Sequence, residues 1–155
     1  FENICSYSHQ NSTAGEKWKT NSDYMVNKKF IIPYIAEGYS WGRVNPYVKI
    51  GHHSHQKIDD VQKALCHLMG KQYNHANELW QFVHAKNLEW GKWHVWGFFK
   101  VRFYKKSTAH FEFLDENVWM QFNLEVAKAK GWRLPTAKKE KKKKQASAQT
   151  PIVFA

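Results

Sequence analysis

The chain has 155 residues, enough for one domain with a buried core. Its two cysteines form neither a disulfide framework nor a zinc pattern, and no apolar run approaches the roughly 18 residues that span a bilayer. The formal net charge is +11; residues 136–155 contribute +5 (six Lys less one Glu), so the other 135 residues carry +6. This balance favours a polyanionic partner, chiefly nucleic acid, although charge that serves solubility alone is the simpler alternative.

The first half of the chain contains one extended segment between irregular stretches. Residues 1–17 are polar and without periodicity, which predicts a loosely ordered lead-in to a single domain over 18–135. The segment Ser22–Ile35 is rich in β-branched and aromatic residues, so we expect a strand that ends at or shortly after Pro33. Turn-forming residues dominate Glu37–Gln56, which predicts a long loop containing one short strand.

Three helices are predicted from apolar residues that recur at helical spacing. Their expected bounds are about 59–69, 75–87 and 116–129. Asp59 and Asp115 are expected to cap the first and third helices, which Gly70 and Gly131 end. The apolar stripes are Ile58, Val61, Leu65 and Leu68; then Ala76, Leu79, Trp80 and Val83; then Val118, Trp119, Phe122 and Val126. Such helices pack on a flat partner, so we predict an α+β fold with a small antiparallel sheet.

The stretch Gly97–Phe113 alternates apolar and polar residues around a short polar break, which predicts a central β-hairpin over about 95–114. Opposed residues of an antiparallel pair share a face, so Phe103 and Phe111 both face the core only if the loop has an odd number of residues. We therefore expect a three-residue loop, Lys106-Ser107-Thr108, with a positive φ near its end. This register pairs Lys105 with Ala109, Tyr104 with His110, and Arg102 with Glu112.

The polar face of this hairpin is the leading candidate site. It carries Lys100, Arg102, Tyr104, His110 and Glu112, beside the loop residues Lys105 and Lys106. In the functional interpretation the cations meet phosphates, while Tyr104 and His110 stack on or bond to bases. In the simpler interpretation the face is solvated and Arg102 pairs with Glu112 across the strands. A third alternative is a metal-dependent nuclease in which His110 is the general base and Glu112 a metal ligand or acid.

Three further sets of residues are candidates. The cations Lys28, Lys29 and Arg43, with Lys49, extend the basic surface if they lie beside the hairpin. His52, His53 and His55 lie close in sequence to Asp59 and Asp60, and a transition metal could use them, although a plain polar loop is the simpler interpretation. Trp90, Trp93 and Trp96 form either a base-stacking platform or the closure of the core, and at least one of them is expected to be exposed.

The last segment, 136–155, is a low-complexity Lys-rich tail that is expected to be disordered. The simplest interpretation is a solvated, flexible arm, and the alternatives are an arm that adds phosphate affinity and the remnant of a linker. The sequence contains no Gly-rich phosphate loop, nucleophile elbow, helical zinc-binding pair or dinucleotide fingerprint. We therefore expect no cofactor, and a self-contained enzyme is disfavoured.

Four segments together carry a family resemblance: "NSDYMVNKKFIIPYI", "KIDDVQKALCHLMG", "FFKVRFYKKSTAHFEF" and "GWRLP". The chain resembles an uncharacterised domain family of bacterial and phage proteins, often found at the carboxyl end of proteins that carry an adenine-N6 DNA methyltransferase domain. The resemblance covers roughly Trp18–Pro135 and implies a role beside DNA modification or phage–host conflict. Lys100, Arg102 and His110 are the matching positions. Hairpins of that family tend to carry Asn-Gly at the turn, where this chain has Lys106-Ser107. The methyltransferase cofactor motif is absent, so S-adenosylmethionine binding is not expected.

These observations favour a nucleic-acid-binding module whose partner is DNA. The alternatives are the nuclease described above and a phage-encoded inhibitor that presents its charged face to a host protein. A methyltransferase domain is a further candidate partner, and a membrane is not expected. The expected location is the cytoplasm of a bacterial or phage-infected cell.

Overall fold

In the computed structural model, the described part of the chain (residues 25–131) forms a four-stranded antiparallel sheet with helices on one face. The strands are β1 (Lys29–Ile32), β2 (Tyr39–Ser40), β3 (Arg43–Val44), β4 (Trp93–Trp96), β5 (Phe99–Phe103) and β6 (Ala109–Phe113). The helices are α1 (Gln56–Leu68), α2 (Leu79–Ala85) and α3 (Glu116–Lys130). The sheet order is β1–β6–β5–β4, and β2 and β3 form a separate ribbon. The predicted α+β fold is confirmed, while the predicted lead-in and tail lie outside the described residues.

The inner face of the sheet is built from aromatic rings, because apolar residues alternate along β5 and β6. The rings of Phe99 and Phe113 lie 4.7 Å apart, and those of Phe30 and Phe111 are stacked at 5.4 Å. Ile58 and Leu65 of α1 and Phe122 of α3 are buried in the same core cluster. Burial of each such side chain is worth about 1.5–3 kcal/mol, so this packing holds the helices against the inner face. On the opposite face exposure is uneven, from 8% at Ile31 to 66% at Val95.

The β5–β6 hairpin has a three-residue loop, as predicted, but in a different register. The Tyr104 amide donates to the Thr108 carbonyl at 2.9 Å, so the loop is Lys105-Lys106-Ser107. The φ of Ser107 is +75°, which confirms the positive φ expected near the end of the loop. Phe103 pairs with Ala109, Arg102 with His110, and Lys100 with Glu112.

The predicted pairs Lys105–Ala109, Tyr104–His110 and Arg102–Glu112 are therefore wrong. Lys105 opposite Ala109 would point its ammonium at the inner face, where Ala109 is fully buried. The register that forms puts Phe103 there instead. Because the slip is by two residues, every side chain keeps its predicted face.

The first helix begins earlier than its expected bounds, and its predicted cap is wrong. α1 starts at Gln56 after His55, and Asp59 lies inside the helix rather than at its start. The Asp59 carboxylate instead accepts a hydrogen bond from the Leu79 amide at 2.9 Å, at the start of α2. The Asp59 side chain thus links α1 to the start of α2, a contact that the spacing of residues along the sequence does not reveal. The expected end at Gly70 is confirmed by its φ of +65°.

The second helix, α2, is shorter than the predicted range of 75–87, because the predicted helix is interrupted at Glu78. A 3-10 turn over His75–Asn77 is capped by Asn74, and the extended Glu78 separates it from α2. In α3 the expected cap is confirmed, since Asp115 accepts from the Asn117 amide at 2.8 Å. Between residues 25 and 131, no helix combines the length and the apolar character that a bilayer span requires.

Candidate nucleic-acid interface

The face of the sheet opposite the helices, here called the outer face, carries two rows of side chains. One row is formed by Lys29, Glu112, Lys100 and Val95, and the other by Ile31, His110, Arg102 and Trp93. Trp93 is 42% exposed and Val95 66% exposed, and the polar members in the two central strands are half-buried. The prediction that Lys100, Arg102, His110 and Glu112 share one face is confirmed.

Glu112 is the one carboxylate in these two rows, and lysines flank it. Its Oε2 atom lies 3.3 Å from the Lys100 ammonium and 3.7 Å from that of Lys29. The predicted ion pair with Arg102 is wrong, because the register puts His110 opposite Arg102. The Glu112 carboxylate is thus paired with two lysines rather than with Arg102.

Arg102 is held between two aromatic rings. Its Nε donates to the Gly91 carbonyl at 2.6 Å, which fixes the plane of the guanidinium. The guanidinium carbon lies 5.9 Å from the Trp93 ring centroid and 5.4 Å from the Tyr104 ring centroid. The Lys100 ammonium also lies over Trp93, at 4.8 Å. A guanidinium fixed in this way still has its Nη donors to offer, in the planar fork that matches a phosphate.

His110 completes the cluster beside Tyr104. The two ring centroids lie 4.6 Å apart with the ring planes tilted by 54°. Burial lowers the pKa of His110 below its ordinary value, and the positive charges of Lys106 and Arg102 lower it further. The ring is therefore neutral at pH 7, with one nitrogen able to donate and the other able to accept a hydrogen bond.

This lowered pKa makes stability depend on pH in a defined direction. The folded state takes up the His110 proton less readily than the unfolded chain, so stability falls as pH drops from about 6.5 towards the lowered pKa. An NMR titration of the ring should give a midpoint below about 6.5. Urea unfolding at pH 5.5 and 7.5 should show a smaller pH difference for His110→Gln than for the wild type. A ring midpoint at or above the ordinary value would contradict this assignment.

The other predicted cations lie at several places around the outer face. Lys105 and Lys106 are exposed in the hairpin loop at one end of the face, and Lys29 is exposed on β1. Arg43 is exposed on the β2–β3 ribbon. Lys28 is half-buried, and its carbonyl accepts from the Phe113 amide at 3.0 Å. The sheet thus brings Lys29 together with Lys100 and Arg102, while Arg43 belongs to a separate element.

Residues 34–47, which include the β2–β3 ribbon, carry four exposed aromatic side chains that were not predicted as site residues. They are Tyr34, Tyr39, Trp41 and Tyr47. Trp41 is 100% exposed, and with Gly42 it forms the two-residue turn between β2 and β3. The φ angles of Trp41 and Gly42 are +52° and +75°, as a type I′ turn requires. A bulky aromatic residue is strained at such a position, and strain of this kind concentrates at functional sites. The available signal was a Trp-Gly pair inside a stretch predicted as loop.

This ribbon adjoins the hairpin loop. The Ile35 amide donates to the Ser107 carbonyl at 3.0 Å. A Cβ atom at Gly38 would lie only 2.1 Å from the Lys105 carbonyl oxygen, so glycine is required for the two segments to approach this closely. The exposed aromatic residues of the ribbon and the loop lysines therefore belong to one end of the molecule.

The predicted tryptophan and histidine candidates divide between surface and interior. Trp93 is exposed, as expected for at least one of the three, whereas Trp96 is buried and donates to the Asn77 carbonyl at 2.8 Å. His52 and His53 are exposed in the loop before α1, with ring centroids 4.9 Å apart. His55 is buried and contacts Asp59. Among the described residues, the group of His, Asp and Glu side chains close enough to share an ion contains neither His110 nor Glu112.

Comparison with known proteins gives one match. The chain matches the family model described as a domain of unknown function, DUF4942, over residues 1–132. No curated protein and no solved structure gives a significant match. The match includes the hairpin, all three helices and the four segments quoted above except the last residues of "GWRLP". The chain therefore belongs to the uncharacterised family DUF4942.

Proposed function

We propose that this domain binds single-stranded or locally unpaired DNA on its outer face. Phosphates meet Lys29, Lys100 and Arg102, and unpaired bases stack on the exposed rings. The observation that carries this proposal is the Arg102 guanidinium, fixed between Trp93 and Tyr104 on the face of the sheet opposite the helices, beside the exposed Trp93 ring. Base stacking on surface aromatic rings needs bases that are free of a duplex, which favours the single strand.

The distribution of charge supports the same proposal. Among residues 25–131, the two rows of the outer face and the hairpin loop carry five cationic side chains and one carboxylate, Glu112, which lysines already flank. The cations are Lys29, Lys100, Arg102, Lys105 and Lys106. A surplus of this kind attracts a phosphate backbone without sequence preference, and the resulting affinity falls as salt rises. Rings between the cations then add contacts that need no particular base.

The choice of DNA over RNA rests on the family resemblance. The resemblance described above, to domains often found at the carboxyl end of adenine-N6 methyltransferases, implies that the module acts beside DNA modification or in phage–host conflict. In that setting the domain holds a strand near the modifying enzyme. The nuclease alternative has no comparable support, because Glu112 is engaged by two ammonium groups rather than by further acids.

Fluorescence anisotropy with a labelled 20-nucleotide single strand and the matching duplex tests the proposal. The full chain should bind the single strand more tightly, with an affinity that falls steeply between low and physiological salt. Arg102→Gln should weaken binding about tenfold or more, because it removes both a phosphate fork and a stacking partner. A folded protein that shows no binding at low salt, or a variant that binds as the wild type does, would overturn the proposal.

Trp41→Asn should raise the stability of the domain and at the same time weaken its binding to single-stranded DNA. Asn tolerates a positive φ, and Asn-Gly is the preferred pair in a type I′ turn, so the free energy of unfolding should rise by about 1 kcal/mol. Affinity for the single strand should fall roughly tenfold, since one stacked base is worth about 1–3 kcal/mol. Thermal melts and anisotropy on the same sample measure both effects. Unchanged affinity in the stabilised variant would remove Trp41 from the interface.

A further inference from the structure

A second cluster of chemically active side chains lies on the helical side of the molecule. His55 precedes α1, Asp59 lies in its first turn, and Glu78 immediately precedes α2. One ligand atom from each of these three residues lies within 4.8 Å of the others. His55 and Asp59 are only 7% and 6% exposed. Two segments of the chain, the start of α1 and the residue before α2, therefore bring an imidazole and two carboxylates to one place.

Neighbouring groups hold these side chains in position. The Asp59 Oδ1 atom accepts from the Leu79 amide at 2.9 Å, and Oδ2 contacts the His55 ring at Nδ1. The Glu78 Oε1 atom accepts from the Tyr73 hydroxyl at 3.1 Å and lies 2.8 Å from Nδ1 of His75. Outer partners of this kind fix the orientation of metal ligands and raise the affinity of the site.

The cluster also borders an open cleft. The cleft has a volume of about 390 Å³, and its walls include His52, His53 and His75 besides the three residues of the cluster. An ion at the cluster would thus be reachable from solvent. A divalent cation there would also offset two carboxylate charges, one of which is buried.

We propose that His55, Asp59 and Glu78 bind one divalent transition-metal ion of the zinc type. Imidazole with carboxylates is a ligand set that suits zinc and its neighbours, whereas magnesium prefers oxygen ligands and keeps most of its waters. Three protein ligands leave one coordination position open to the cleft, which is the pattern of metal sites that bind a water or a further ligand. The site is separate from the DNA-binding surface and does not depend on it.

Calorimetric titration of the full, EDTA-treated chain with Zn²⁺ tests the site. The wild type should bind one equivalent that Glu78→Gln weakens at least about tenfold. Glu78 is only half-buried and Gln has the same shape, so this variant should keep the fold, which circular dichroism verifies. His55→Ala should weaken binding by a similar factor.

Two control variants separate the cluster from surface binding. His67→Gln and Glu125→Gln change exposed residues of α1 and α3 that lie outside the cluster, and they should bind Zn²⁺ as the wild type does. Cys5 and His9 remain in every protein, so any zinc that they take up is common to all. The absence of a stoichiometric equivalent, wild-type affinity in a folded Glu78→Gln, or an equal loss in the controls would each overturn the proposal.

Discussion

Asn123→Ala is expected to lower the free energy of unfolding by about 2–3 kcal/mol. The Asn123 Oδ1 atom accepts from the Val26 amide at 2.9 Å, and its Nδ2 donates to the Val26 carbonyl at 3.0 Å. The Asn123 side chain thus pairs with both backbone polar groups of Val26, as a neighbouring strand would, and connects the segment before β1 to α3. Asn123 is 3% exposed and Val26 is fully buried, so removing the side chain leaves a buried amide without its partner.

Urea unfolding, followed by circular dichroism, measures this loss. Asn117→Ala is the matched control, since Asn117 is exposed on the same helix, and its effect should stay within about 0.5 kcal/mol. If Asn123→Ala unfolds at the same urea concentration as this control, the bonds to Val26 do not hold the segment in place.

Reversing both loop charges, in Lys105→Glu/Lys106→Glu, should weaken binding to single-stranded DNA at least about tenfold. Both lysines are exposed at the end of the outer face, beside the ribbon that carries Trp41. Loss of two phosphate contacts should also reduce the slope of log affinity against log salt by about 1.4, the value for two charges on a single strand. Anisotropy at several salt concentrations gives both quantities.

A control with the same change in net charge distinguishes local contact from overall attraction. Lys63→Glu/Lys128→Glu changes exposed lysines on α1 and α3, the helices that pack on the inner face. This variant should keep most of the affinity and the original salt slope. An equal loss in both double variants would show that net charge alone drives binding, and the loop lysines would no longer be assigned to the interface.

The faces of the central hairpin could be predicted because they depend only on parity. Alternating phenylalanines define the inner face, and a loop with an odd number of residues keeps Phe103 and Phe111 on it. Arg102 and His110 therefore share the outer face whichever three residues form the turn. The register could not be predicted in the same way, because registers that differ by two residues share all their faces. Burial of Ala109 selects between them, and that burial depends on the whole sheet.

Contacts between segments that are distant along the chain could not be predicted from the sequence. Asp59 matches the pattern of a helix cap, yet its carboxylate bonds to Leu79, twenty residues further along the chain. The histidine-rich loop was recognisable, but nothing local indicated that Glu78 completes a cluster with His55. The exposure of Trp41 could not be predicted either, because tryptophan is highly buried on average and is uncommon at a positive φ, whereas here it occupies a tight turn with a φ of +52°.

Chemical-shift mapping locates the surface of the domain that contacts single-stranded DNA. An isotopically labelled full chain is titrated with an unlabelled single-stranded oligonucleotide, and amide and indole signals are followed by NMR. We expect the largest changes at the Trp93 indole, at Arg102 and His110, and in the loop of Lys105 and Lys106, while α1 and α3 change little. Changes confined to the Lys-rich segment 136–155, or to the helices, with the outer face unaffected, would contradict this expectation.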